Sequence, residues 1–204
     1  MDFVLHGDTG PASTWVSRAR EGDEIWIVGP NAAYPGIQDG LEWRAPAEAT
    51  CVLLAGDETA VPAIRAIVEA LPPGVRARVL LEVPAADDSL PIAAGPDVEI
   101  TWLTRGHAPH GELLVPAVRE VAARVAADAD AARGGGSALE DVDVDTTILW
   151  EIPTDTAGGT FYAWLAGEAG VVKTLRRHLV QEVGVDRRAV AFMGYWRLGR
   201  SEGD

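Results

Sequence analysis

The sequence predicts an α/β fold built on a mainly parallel, doubly wound sheet. Three observations carry this reading. From residue 51 onward, short apolar runs alternate with helix-period segments at the spacing of repeated strand-helix units. The run 76–83 has a continuously apolar centre, Val79-Leu80-Leu81, rather than strict alternation, as in a parallel strand covered on both faces. Strand ends are followed by glycine and a helix start, the junction at which such sheets bind ligands.

The elements follow in order. Phe3-Val4-Leu5 reads as a short strand, Gly10 to Ser13 with Trp15, Val16 and Ala19 as a helix start, and Glu24 to Pro30 as a second strand after a turn at Glu21-Gly22-Asp23. Two strands and a helix cannot close a core alone. Residues 31–49, rich in Gly, Pro and Ala, read as a connector.

The repeating pattern then begins with a strand from Cys51 to Ala55, a turn over Gly56-Asp57-Glu58-Thr59, and a helix from Ala60 to Leu71 stopped by Pro72-Pro73-Gly74. Strands follow at Arg76 to Val83 and Val98 to Thr104, then a helix from Leu113 to Ala127. Residues 128–147, with three glycines in a row and several aspartates, read as a surface loop. Strand Thr160 to Ala166, helix Ala169 to Val183 and strand Ala189 to Tyr195 complete the pattern. The chain therefore divides into residues 1–45 and an α/β domain over 46–204.

Seventeen basic against 31 acidic residues give a net charge of -14, which disfavours nucleic acid and anionic membranes as partners. Residues 160–204 run against this trend, with seven basic and five acidic side chains, and suggest either a local anion site or a solvated helix face. No apolar run reaches the roughly 18 to 20 residues of a membrane span, and the first residues lack a signal-peptide pattern, so cytoplasm is the expected compartment. The single cysteine, Cys51, lies in an apolar run and reads as a buried small hydrophobe.

Ligands of such sheets sit beyond the carboxyl ends of the strands, which selects four places. At Gly56-Asp57-Glu58-Thr59 a glycine precedes a helix whose N-terminus can meet a pyrophosphate, with a plain turn capped by Thr59 as the competing reading. Thr104-Arg105 offers a hydroxyl and a guanidinium fork to an anion. Trp164-Leu165-Ala166-Gly167-Glu168 is again strand, glycine and helix start, and the helix carries Lys173, Arg176 and Arg177. Tyr195-Trp196-Arg197 and Arg200 form an aromatic and basic terminus suited to a planar group and an anion, unless the rings simply cover the core.

Other chemistries find less support. His6, His107, His110 and His178 have no metal-ligand spacing, and neither a nucleophile elbow nor a P-loop occurs. Asp141, Asp143 and Asp145 lack the glycine and glutamate of a calcium loop. Glu82, closing the second strand, would suit a ribose-binding acid of a methyltransferase-like enzyme, but the first loop lacks the matching glycine spacing.

Taken as a set, these stretches resemble the siderophore-interacting protein family. The resemblance rests on Phe3 to Gly7, Gly10 to Ser13 with Trp15, Gly22-Asp23, Gly29-Pro30 and Gly56 to Ala60. It continues through Tyr162 to Glu168, Arg176 to Leu179 and Gly194 to Arg197. It implies a nicotinamide domain like that of ferredoxin-NADP reductases, preceded by the end of a flavin-binding β-barrel. The implied activity is ferric-siderophore reduction, with hydride passing from NADPH or NADH to FAD and electrons then to iron.

By the same resemblance, Gly56, Asp57, Glu58 and Thr59 would cradle the pyrophosphate, and Thr104 and Arg105 would face a 2'-phosphate. Trp164, Ala166, Gly167 and Glu168 would flank the nicotinamide. His6, Gly10, Ala12 and Ser13 would contribute to the flavin site, and Arg197 and Arg200 would meet the siderophore. The family's Arg-x-Tyr flavin motif does not occur in this chain, so FAD is not expected to be held stably by it alone. A flavin barrel in cis or in trans is the implied partner, and a noncatalytic dinucleotide-binding or regulatory module is the alternative. A truncated barrel would also expose a sheet edge, which predicts self-association through residues 1–30.

Overall fold

The structure is a computed structural model, and it describes residues 3–4, 11–27, 33, 42–128, 139–144, 147–153 and 159–199. Six strands form one sheet: β1 (Cys51–Asp57), β2 (Arg76–Val83), β3 (Val98–Thr104), β4 (Trp150–Glu151), β5 (Phe161–Glu168) and β6 (Val190–Trp196). Their order is β3-β2-β1-β5-β6-β4, parallel except for β4, which pairs antiparallel with β6.

Both faces of this sheet are dry. Cys51, Leu53 and Ala55 of β1 turn toward α3 (Leu114–Asp128) and α4 (Ala169–Arg177), where they meet Val118, Ala122, Val172 and Leu175. Val52 and Leu54 turn the other way, toward Val61, Ile64 and Val68 of α2 (Val61–Ala70). Alternate side chains thus enter separate cores, which is why the strand sequences are apolar without alternation. Cys51 is buried, as its neighbours imply.

Beyond α4 the chain continues in a wider helical turn over His178–Val183 and stops at Gly184, whose φ of 81° is the left-handed conformation of a helix C-cap. Two short sequence expectations fail. Residues 3 and 4 carry no strand, and neither do residues 24–27, where Ile25, Trp26 and Ile27 are exposed. Apolar, β-branched composition favours a strand only where a neighbour supplies the ladder, and none of the described residues does so. Leu5 and residues 28–30 lie outside the described residues. The helix start is observed, as α1 (Pro11–Val16).

The register places the rim. β1 and β2 align Asp57 with Glu82, β2 and β3 align Val83 with Thr104, and β1 and β5 align Gly56 with Ala166. A bulge at Gly167/Glu168 then brings Glu168 opposite Trp196. The strand order reverses between β1 and β5, so the crevice of a doubly wound sheet lies at Asp57 and Glu168.

Candidate functional site

Two consecutive acids at the end of β1 organise the rim by reaching in opposite directions. Asp57, 3% exposed, accepts hydrogen bonds from the Thr59 backbone N–H at 2.9 Å and the Thr59 hydroxyl at 2.5 Å. Its other oxygen accepts from the Glu168 N–H at 2.7 Å and the Trp196 indole N–H at 2.9 Å. Glu58 turns toward β3 and takes both terminal nitrogens of Arg105 at 2.7 Å, with the Arg105 side chain only 7% exposed.

The loops after β1, β3 and β5 are therefore tied together at one rim. Burial raises the Asp57 carboxyl above its ordinary value against the hydrogen bonds from Thr59 and Trp196, and the charge of Glu58 adds to the rise. For Glu58, burial would also raise the carboxyl, but Arg105 outweighs it and holds the group below the ordinary carboxylate range.

Three helix N-termini point at this rim, and two are closed by carboxylates. Glu82, fully buried at the end of β2, accepts from the N–H groups of Gly111, Leu113 and Leu114 at 2.8, 3.0 and 3.0 Å, which caps α3. This use removes it from consideration as a ribose ligand. Glu168 caps α4 by accepting from the Val171 N–H at 2.9 Å. The N-terminus of α2 has no side-chain cap, so the Thr59 cap expected as the plain reading is absent. Thr59 spends its hydroxyl on Asp57 instead. Among these helices, α2 alone has no side-chain cap. Pro62 has no N–H and the Ala60 N–H donates to the Asp57 carbonyl oxygen, so the first-turn donors it can offer an anion are at most those of Val61 and Ala63.

The glycines at the rim serve close packing. A Cβ on Gly56 would lie 2.4 Å from the Ala60 Cβ and 2.7 Å from the Ala166 carbonyl oxygen. Gly167 has a φ of 143°, and a Cβ there would lie 2.5 Å from Asp57 Oδ2. Both residues let β1, β5 and α2 converge.

The other sequence candidates fall as follows. Thr104 is exposed beside Arg105. Trp164 is 1% exposed in the core on the α2 side, edge-on to Tyr195, so its ring does not reach the crevice; Ala166 is likewise buried. Arg197 donates to the Val144 carbonyl oxygen. Lys173 pairs with Asp141 at 2.8 Å, and Arg176 forms a two-nitrogen bridge to Glu151 at 2.9 and 2.7 Å, so these basic side chains of α4 have internal partners. Ser13 is buried and Ala12 exposed on α1. His6, Gly10 and Arg200 lie outside the described residues.

His110, set aside on the sequence for lack of metal-ligand spacing, lies at the rim. Its ring packs edge-on against Trp196 with centroids 4.7 Å apart, and its buried Nδ1 has no hydrogen-bond partner among the described residues. One ligand atom each of Asp57, Glu58 and His110 lie within 4.8 Å of one another, a grouping that chain spacing could not reveal. The carboxylate oxygens in it are already engaged by Thr59, Glu168, Trp196 and Arg105. A separate hollow of about 300 Å³, lined by Ala123, Ala126, His178, Glu182 and Val185, lies between α3 and the helical turn that follows α4.

Comparisons with known proteins agree with this architecture. Residues 49–199 match the family described as siderophore-interacting protein, and residues 1–34 match the siderophore-interacting FAD-binding domain. An uncharacterized protein of Mycobacterium tuberculosis (strain ATCC 25618 / H37Rv) is 35% identical over 204 residues, covering 99% of this chain and 60% of its own length. The ferric vibriobactin reductase ViuB of Vibrio cholerae is 26% identical over 202 residues, with coverage of 99% and 60%. Among solved structures, a siderophore utilization protein from T. fusca superposes with a TM-score of 0.61 at 28% identity, covering 99% of this chain and 61% of that one. The chain thus spans about 60% of the length of the curated relatives it matches.

Proposed function

The chain belongs to the siderophore-interacting protein family, and on that premise we propose that it is the nicotinamide-dinucleotide module of a flavin-dependent ferric-siderophore reductase. The observation that carries this reading is the crevice at the strand-order reversal, where the uncapped N-terminus of α2 faces the rim between Asp57 and Glu168. An anionic ligand fits there and not at α3 or α4, whose first turns are already held by Glu82 and Glu168. Residues 1–45 are then the end of a flavin-binding barrel with its connector, and 46–204 the dinucleotide domain.

In this reading the loop Gly56 to Thr59 and the first turn of α2 hold the pyrophosphate. Gly167 and Glu168 border the nicotinamide, at a position where the absence of a side chain lets backbone lie close to Asp57. Asp57 keeps the loops after β1 and β5 at fixed separation, and burial of β5 and β6 excludes water beneath them. A flavin bound beside this module would supply the chemistry that links hydride transfer to single-electron donation, and reduction of the siderophore's ferric ion to iron(II) would weaken its hold in hard oxygen donors. The flavin-binding barrel is supplied in cis or in trans. Exposed Ile25, Trp26 and Ile27 form an apolar patch that would meet the barrel or a second copy of the chain.

The test is reduction of a ferric hydroxamate chelate by NADH or NADPH, read with a chromogenic iron(II) chelator. The chain is supplied with FAD and, in a second arm, with a separately produced flavin-binding barrel from a relative. Iron(II) release that requires the chain, the flavin source and the dinucleotide supports the reading. Dinucleotide binding with no electron transfer in either arm would favour a noncatalytic binding module. Failure to bind either dinucleotide would contradict both.

A further inference from the structure

The pairing of Glu58 with Arg105 bears on which dinucleotide the crevice accepts. A guanidinium fork recognises a 2'-phosphate when its N–H groups are free, whereas an acid at the corresponding place accepts from a ribose 2'-hydroxyl and repels a phosphate. Here both groups are present and each engages the other. Both Arg105 terminal nitrogens lie 2.7 Å from Glu58 oxygens, and an oxygen of Glu82 lies 4.0 Å from the first of them. The Arg105 side chain is 7% exposed and that of Glu58 18%, so the outward group at this point of the rim is the carboxylate.

We propose that Glu58 is the specificity-determining residue of the crevice and selects NADH over NADPH. The inference rests on the dinucleotide reading above. A 2'-phosphate arriving beside Thr104 would have to take the fork from Glu58. It would leave that carboxylate next to Asp57 with its cation withdrawn. A 2'-hydroxyl brings no second anion, leaves the pair intact, and can donate to the exposed side of Glu58. The sequence Thr104-Arg105 alone points toward the phosphorylated cofactor; the partner that reverses this is 47 residues away in the chain.

The experiment titrates the full chain with NADH and with NADPH by calorimetry in the same buffer. NADH is expected to bind at least about 10-fold more tightly, since like-charge juxtaposition in a partly buried site is strongly unfavourable. Glu58→Gln should then tighten NADPH relative to NADH by about 10-fold, while Glu58→Asp, which keeps the charge, should retain the preference for NADH. Thermal melts establish that each variant is folded, and the wild-type ratio is read with no substitution at all. Equal or tighter binding of NADPH by the wild-type chain, or an unchanged ratio in folded Glu58→Gln, would overturn the inference while leaving the dinucleotide site in place. Binding of neither compound would remove the site itself and the inference with it.

Discussion

The indole N–H of Trp196 donates to Asp57 Oδ2 at 2.9 Å, tying the last strand of the sheet to the first across the crevice. Because the Asp57 carboxylate is buried, each of its donors offsets part of a large desolvation cost. Trp196→Phe keeps the ring and deletes that donor. The expected loss is about 1.5 to 3 kcal/mol of unfolding free energy, the range for a hydrogen bond to a charged group, measured by urea denaturation at neutral pH. A variant as stable as wild type would show that the bond does not bind the rim together.

Gly167 borders the same carboxylate from the other side. Its φ of 143° and the 2.5 Å separation between a built Cβ and Asp57 Oδ2 leave no room for alanine. Gly167→Ala should destabilise the chain by at least about 2 kcal/mol, combining backbone strain with overpacking. Gly184→Ala is the comparison, since Gly184 also has a positive φ but nothing within 4 Å. It should cost about 1 kcal/mol, from strain alone.

Glu82, next to last in β2, caps a helix that starts 32 residues later. Glu82→Ala strips the acceptor from three N–H groups of the α3 first turn, and an expected cost of about 3 kcal/mol follows from leaving buried donors unpaired. Hydrogen exchange at Gly111, Leu113 and Leu114 reads this locally: their amides should lose protection before those of β1 do.

The two acids of β1 respond to pH with opposite sign. Arg105 lowers the Glu58 carboxyl, so the pair's contribution is complete above its ordinary value of 4.5 and is lost as pH falls through the lower folded value. Asp57 is raised from 3.8, so its folded form holds a proton longer, and its ionisation subtracts stability as pH rises from 3.8 through the raised value. Glu58→Gln should therefore be less stable than wild type by about 1 kcal/mol at pH 7, with the difference vanishing in acid below the folded value. A deficit independent of pH would mean that the ion pair is not its source.

Much of this architecture is legible in the chain. The bounds of β2 and β3 coincide with the sequence-predicted strands 76–83 and 98–104, each of which has an apolar centre, Val79-Leu80-Leu81 and Trp102-Leu103. β4 is only Trp150–Glu151 and exists through pairing with Met193 and Phe192, a register no local pattern encodes. The runs at 3–5 and 24–30 show the converse, strand-like composition without a ladder over the described residues.

At the rim, the positions after each strand were identifiable from glycine and helix-start signals, but the partners were not. Glu58 with Arg105, Asp57 with Trp196 and Glu82 with α3 are all long-range, and each converts a residue that looks available to a ligand into one that holds the crevice together. The available signal was the acid ending each central strand: Asp57, Glu82 and Glu168.

The central claim is that the crevice between the ends of β1, β3 and β5 receives a reduced pyridine dinucleotide. Amide chemical-shift mapping of the labelled chain during an NADH titration tests it most directly. The expected result is saturable shifts concentrated at residues 56–61, 104–106 and 167–170. Shifts clustered instead around Ala123 to Ala126 and His178 to Val185, between α3 and the helical turn after α4, or none at millimolar NADH, would contradict it.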